Sequence, residues 1–121
     1  MTDQLISYET ALIAKEKRFY NYDTKLSYDK NGKIYYQAGL NKENEPLAHT
    51  QPLLQKWLRE NHRLMINVGW VYGKISDIEW FFSVKGINRI DNNVLPHNEL
   101  RFSSYEDALE VGLQEALKTI L

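Results

Sequence analysis

The chain has 121 residues, no cysteine and a formal net charge of -1. That length suits one domain spanning residues 1–121 that buries roughly 65% of its unfolded surface, and the lack of thiols excludes disulfides, cysteine nucleophiles and thiolate metal sites. Near-neutral charge gives no global attraction to nucleic acid or anionic lipid, and no apolar run approaches the roughly 18 residues of a membrane span.

In chain order, the opening Met1-Thr2-Asp3-Gln4 lacks the basic and apolar regions of a secretory signal, so a cytoplasmic protein is expected. Ser7 reads as the N-cap of a short helix over about residues 8–17, with Tyr8, Ala11, Leu12 and the stem of Lys15 on its inner stripe. From about Arg18 the pattern turns to aromatic and polar residues in near alternation. Asp29-Lys30-Asn31-Gly32 is a turn signal between Leu26-Ser27-Tyr28 and Ile34-Tyr35-Tyr36, because asparagine and glycine accept positive φ cheaply. Residues 39–49, with Gly39, Asn41, Asn44 and Pro46, read as a loop.

The block from Thr50 to Lys85 is the most informative. Thr50 is placed to cap a helix with Pro52 just inside its start, where a missing N–H costs nothing. Leu53, Leu54, Trp57 and Leu58 form one apolar stripe, and Asn61 is the expected terminator. Leu64, Ile66, Val68, Trp70 and Tyr72 then alternate with Met65, Asn67, Gly69 and Val71. After Gly73 to Asp77 the alternation resumes with Ile78, Trp80, Phe82 and Val84. An antiparallel hairpin follows. Pairing Tyr72 with Ile78 sets Trp70 opposite Trp80 and Val68 opposite Phe82, and a slip of one residue would reverse every side chain. Both indoles are expected in the core.

After Gly86, Asn88, Asp91, Asn92, Asn93 and Pro96 leave little continuous pattern, and Leu100 and Phe102 read as a short last strand. Ser104 caps the closing helix with Asp107 three residues on, near a capping box, and Ser103 with Glu106 gives the same arrangement one residue earlier. Tyr105, Ala108, Leu109, Gly112, Leu113, Ala116, Leu117 and Ile120 hold helical spacing. Glu106, Asp107, Glu110, Gln114 and Lys118 are assigned to the outer face. Gly112 costs about 1 kcal/mol relative to alanine in a helix, so a close approach to a sheet is expected there, over one of the tryptophans. Ser7-Tyr8-Glu9-Thr10-Ala11-Leu12 echoes Ser104-Tyr105-Glu106-Asp107-Ala108-Leu109. A serine cap, an early glutamate and an Ala-Leu stripe are what helix starts select. The resulting class is α+β: a mainly antiparallel sheet of four or five strands packed with three helices, in the order α-β-β-α-β-β-(β)-α.

Chemistry-bearing constellations are few. His49, His62 and His97 stand far apart with no metal-ligand spacing, so neither metal nor cofactor is expected. Glu60 and His62 are the one conceivable acid–base pair, an enzyme alternative, but a solvated helix end explains them better. Serines 7, 103 and 104 serve as caps, and there is no nucleophile elbow. Lys15, Lys17, Arg18, Lys25, Lys30 and Lys33 interleave with Phe19, Tyr20, Tyr22, Tyr28, Tyr35 and Tyr36. Those are the ingredients of a single-strand stacking platform, but Glu16, Asp23 and Asp29 halve the charge. A twisted, half-buried tyrosine hairpin is the plainer reading, and nucleic acid is the weaker partner class. Met65, Val71 and Phe81 lie on the second face of the long hairpin and would form a contact patch if no helix covers them. Binding residues are therefore sought at Tyr28, Tyr35, Tyr36 and Phe81, for a protein partner or for self-association.

The run from Thr50 to Glu60 (Thr-Gln-Pro-Leu-Leu-Gln-Lys-Trp-Leu-Arg-Glu), followed by His62 and a strand, resembles a family of short uncharacterised proteins from prophages and mobile elements of gut anaerobic bacteria. So does the run from Ser104 to Leu117, and the likeness spans most of the chain, including Leu5 to Leu12. The family has no assigned activity, so the resemblance implies context alone: an accessory product of a bacterial mobile element or phage. The expected function is non-catalytic binding through protein–protein contact.

Overall fold

The computed structural model describes residues 4–19, 26–36, 46–73, 77–86, 93–95 and 100–120. Its elements follow the order α1 (Tyr8–Glu16), β1 (Leu26–Tyr28), β2 (Ile34–Tyr36), α2 (Gln51–His62), β3 (Leu64–Tyr72), β4 (Ile78–Gly86), β5 (Asn93–Leu95) and α3 (Tyr105–Lys118). This is an α+β fold whose strand pairs are all antiparallel, shared between a β1-β2 sheet and a β3-β4-β5 sheet. The division has a local cause. The second edge of β1 is taken by residues 46–48, with Tyr28 N–H donating to Pro46 O at 3.0 Å and Ala48 N–H to Leu26 O at 3.1 Å. That segment leads straight into α2, which leaves β1 no edge for β3.

All three expected caps form. Ser7 Oγ accepts from Thr10 N–H, Thr50 Oγ1 from Leu53 N–H and Ser104 Oγ from Asp107 N–H. Two serine-capped starts account for the shared string at residues 7–12 and 104–109. The Asp29 turn closes as its sequence requires, with Oδ1 accepting from the N–H groups of Asn31 and Lys33 and Gly32 at φ 81°. Within α1 the inner face is Thr10, Ala11 and Ala14, and Leu12 is exposed. Asn61 does not end α2. The helix runs through His62 and stops on Arg63, which adopts the left-handed conformation at φ 53°.

The β3–β4 ladder has the expected register, with Trp70 opposite Trp80, Val68 opposite Phe82 and Tyr72 opposite Ile78. Its face is also as expected, since Leu64, Ile66, Phe82 and Val84 are buried against α3 residues Leu109, Leu113 and Leu117. The tryptophans depart from expectation: Trp70 is 50% exposed and Trp80 is half-buried. Each strand has nine residues, which span about 30 Å, and α3 begins beside Trp80 with Tyr105. The outer ends of the hairpin lie past the first turn of the helix. Gly112 accordingly sits over Ile66 and Phe82 and not over an indole.

The third strand of this sheet also differs. It forms at Asn93–Leu95, and Phe102 makes an isolated bridge to Trp80. The expectations at Tyr20, Tyr22, Asp23, Lys25, Gly39, Asn41, Asn44, Asn88, Asp91, Asn92, Pro96 and His97 lie outside the described residues. Among the described residues no helix is long and apolar enough to cross a membrane.

A Cβ on Gly112 would lie 2.9 Å from Ile66 Cγ2 and 3.2 Å from the Phe82 ring. Gly112→Ala gains about 1 kcal/mol of helix propensity but overpacks two buried side chains, at about 1–3 kcal/mol. A net loss of stability is expected on urea denaturation. A gain would mean that the helix stands further off the sheet.

Candidate functional site

Two features stand out beyond the core: a polar clamp between the three helices and an uncovered aromatic face. The clamp begins with residues 4–6, which pair with 49–51. Ile6 N–H donates to His49 O and Gln51 N–H to Gln4 O, both at 2.8 Å, so the first turns of α1 and α2 lie side by side. Glu110 of α3 reaches both. One carboxylate oxygen accepts from Ser7 N–H at 3.0 Å and from the Thr10 hydroxyl, and the other accepts from Gln51 Nε2 at 2.9 Å. Gln51 also donates to Glu106 O, and Gln114 Nε2 donates to Thr10 Oγ1 at 3.0 Å. Thr10 and Gln51 are buried, and a carboxylate suits the positive ends of two helices. Glu110 and Gln114 therefore do not belong to an outer solvated face; the stripe they occupy is turned toward α1 and the start of α2.

The second feature lies at the open end of the long hairpin. Trp70 is 50% exposed, Tyr72 70% and Ile78 49%, and Tyr105 at the start of α3 is 40% exposed. Trp70 meets Tyr72 edge-on at 5.3 Å between centroids, and Trp80 meets Tyr105 edge-on at 5.8 Å. With the cross-strand pairs Trp70–Trp80 and Tyr72–Ile78, these five side chains form one apolar surface continuous with the core. The ionisable residues directly adjacent to it in the chain, Asp77, Glu79 and Glu106, are acidic, which disfavours a phosphate backbone. Such a surface offers contact area and edge-to-face geometry.

The residues singled out from the sequence do not converge. Tyr28 is 6% exposed and its hydroxyl donates to Ile6 O. Burial, and secondarily the Glu110 carboxylate, raises its pKa above the ordinary phenol value. It is a core residue, not part of a stacking platform. Tyr35 is half-buried opposite Ser27, and Tyr36 is described only through its backbone, which pairs with Leu26. Phe81 is half-buried with Met65 and Val71. Its ring lies where a Cβ on Gly69 would be 2.7 Å from Cζ, and Arg101 Cζ sits 5.6 Å from the ring centroid.

Glu60 and His62 part company. Glu60 faces Lys56 at 3.9 Å on the exposed side of α2, and His62 packs edge-on against Trp57 at 4.8 Å. His49 is turned inward, its Nδ1 accepting from Thr50 N–H at 3.0 Å, and burial lowers its pKa below the ordinary imidazole value. Among the described residues no group of histidines and carboxylates is arranged to hold a metal ion. Compared with the models of known protein families, with curated proteins and with solved structures, the chain matches none.

The Glu110 clamp is testable by removing one acceptor. Glu110→Gln leaves a single acceptor oxygen and turns an amide donor toward Ser7 N–H and Thr10 or toward Gln51. The expected loss on chemical denaturation is about 1–3 kcal/mol. A loss below about 0.5 kcal/mol would show that the helices hold together without it.

Proposed function

We propose that this chain is a small non-catalytic binding protein that works through protein–protein contact, and that its contact surface is the aromatic face of Trp70, Tyr72, Ile78, Trp80 and Tyr105. The observation that carries the reading is the exposure of Trp70, Tyr72 and Ile78 on the same sheet face whose inner half is sealed by α3. Soluble monomers rarely leave a contiguous apolar surface open without a use for it. Tryptophan and tyrosine are also the side chains that dominate binding energy when a partner excludes water from them. The acidic residues directly adjacent to it in the chain, Asp77, Glu79 and Glu106, favour a protein partner over a nucleic acid. An accessory role for a bacterial mobile element or phage, in the cytoplasm, extends the resemblance of the Thr50–Glu60 and Ser104–Leu117 runs.

A random-peptide display library selected on the wild-type protein tests this reading. It should return apolar, aromatic-containing sequences whose affinity falls by roughly thirtyfold or more on the double change Ile78→Lys and Tyr105→Lys. Because both residues are already exposed, stability should change by no more than about 0.5 kcal/mol. Binders indifferent to the double change, or salt-sensitive binding of a short oligonucleotide in their place, would contradict it.

A further inference from the structure

The free edge of the three-stranded sheet carries information that its side chains do not. Trp80 exchanges both main-chain hydrogen bonds with Phe102, each at 2.9 Å, so its polar backbone groups point away from β3. In an antiparallel ladder the residue opposite such a position is also turned outward, and that residue is Trp70. Gln55 reports the same parity independently, since its Nε2 donates from α2 to the carbonyl of Ile66 at 3.1 Å. Ile66, Val68, Trp70 and Tyr72 thus direct their N–H and C=O groups to the open side of β3. Gln55 occupies Ile66. At Val68, Trp70 and Tyr72 no outward hydrogen bond is made among the described residues.

Sheet edges are ordinarily guarded by charge, proline, a bulge or a covering element. From Leu64 to Tyr72 there is no charged residue and no proline, and the ladder with β4 runs through its nine pairs without a shift. Among the described residues, the edge past Ile66 has none of these guards.

We infer that this edge pairs antiparallel with the same edge of a second copy of the chain, about a two-fold axis at Trp70. A two-fold contact must be self-complementary, and this one is: Trp70 faces its own counterpart, and Val68 faces the counterpart of Tyr72. Each of those pairs exchanges two main-chain hydrogen bonds. The centre is fixed from both sides, because α2 closes the edge at Ile66 and the strand ends at Tyr72, so only a register centred on Trp70 uses the whole free stretch. No like charges meet, since none of the pairing residues is ionised at neutral pH. Outward-turned residues of one strand share a face, so pairing joins the two aromatic surfaces across one extended sheet. The inference rests on main-chain geometry and stands apart from binding through Ile78 and Tyr105.

Sedimentation equilibrium of the full chain from micromolar to near-millimolar concentration, with amide exchange at both ends of the range, tests it. The mass should rise from 14.3 kDa toward twice that value. The amides of Val68, Trp70 and Tyr72 should exchange at least about tenfold more slowly in the concentrated sample. Trp70→Lys sets two ammonium groups face to face and should weaken the dimer by roughly a hundredfold or more. Tyr72→Lys serves if circular dichroism shows that variant to be unfolded. The double change Ile78→Lys and Tyr105→Lys should leave the dimer intact. A monomer mass at the highest concentration overturns the inference, even if an unrelated peptide adds to the edge. So does a dimer in which these three amides exchange unchanged, or one that the Ile78 and Tyr105 changes dissociate.

Discussion

The close seating of α3 on the inner half of the β3–β4 hairpin governs what the rest of the molecule can do. Gly112 lets the helix axis come down onto Ile66 and Phe82, and Leu109, Leu113 and Leu117 then fill the space over Leu64 and Val84. Burying such side chains stabilises by about 1.5–3 kcal/mol each, which is why the register of the hairpin is strongly specified. The same seating sets a limit. A helix that starts at Tyr105 beside Trp80 cannot also cover Trp70, Tyr72 and Ile78, and the uncovered length becomes the aromatic face.

Helix position is fixed at the opposite side by Glu110. Its carboxylate ties the first turns of α1 and α2 to α3 through Ser7, Thr10 and Gln51. One acidic side chain accepts from donors at two helix starts, beside the further bonds that Gln51 donates to Glu106 O and Gln114 to Thr10. The packing of α3 on the sheet and the clamp on its other side act on the same helix, so the exposed face and the polar cluster are two consequences of one placement.

Local physics made much of this legible in the sequence. Ser7, Thr50 and Ser104 could be read as caps because a short hydroxyl side chain before an apolar-periodic run has one efficient use. The Trp70–Trp80 register could be read because a one-residue slip would reverse the apolar face, and closing the hairpin with Tyr72 opposite Ile78 selects among the pairings that keep it. Alternation identifies a face but not where its cover ends, so it gave no sign that Trp70 would stand in solvent. Glu110 and Gln114 looked like solvated helix residues because the polar partners that turn them inward, Thr10 and Gln51, are remote in the chain. Asn93–Leu95 lacked any strand pattern, since three residues paired to β4 carry no period to detect. The half-buried tyrosine hairpin was legible too, but its three-residue strands carry too little alternation to show that Tyr28 is core while Tyr35 is half-buried.

The account turns on the hairpin outrunning its helical cover, and Trp70 is its most direct reporter. Iodide quenching of tryptophan fluorescence, at micromolar concentration, should find a large accessible fraction in the wild type. Trp70→Phe should remove the larger share of it with little change in the thermal midpoint, while emission from Trp57, 7% exposed, stays shielded. An accessible fraction unchanged by Trp70→Phe, together with the stability loss of a truncated core residue, would contradict it.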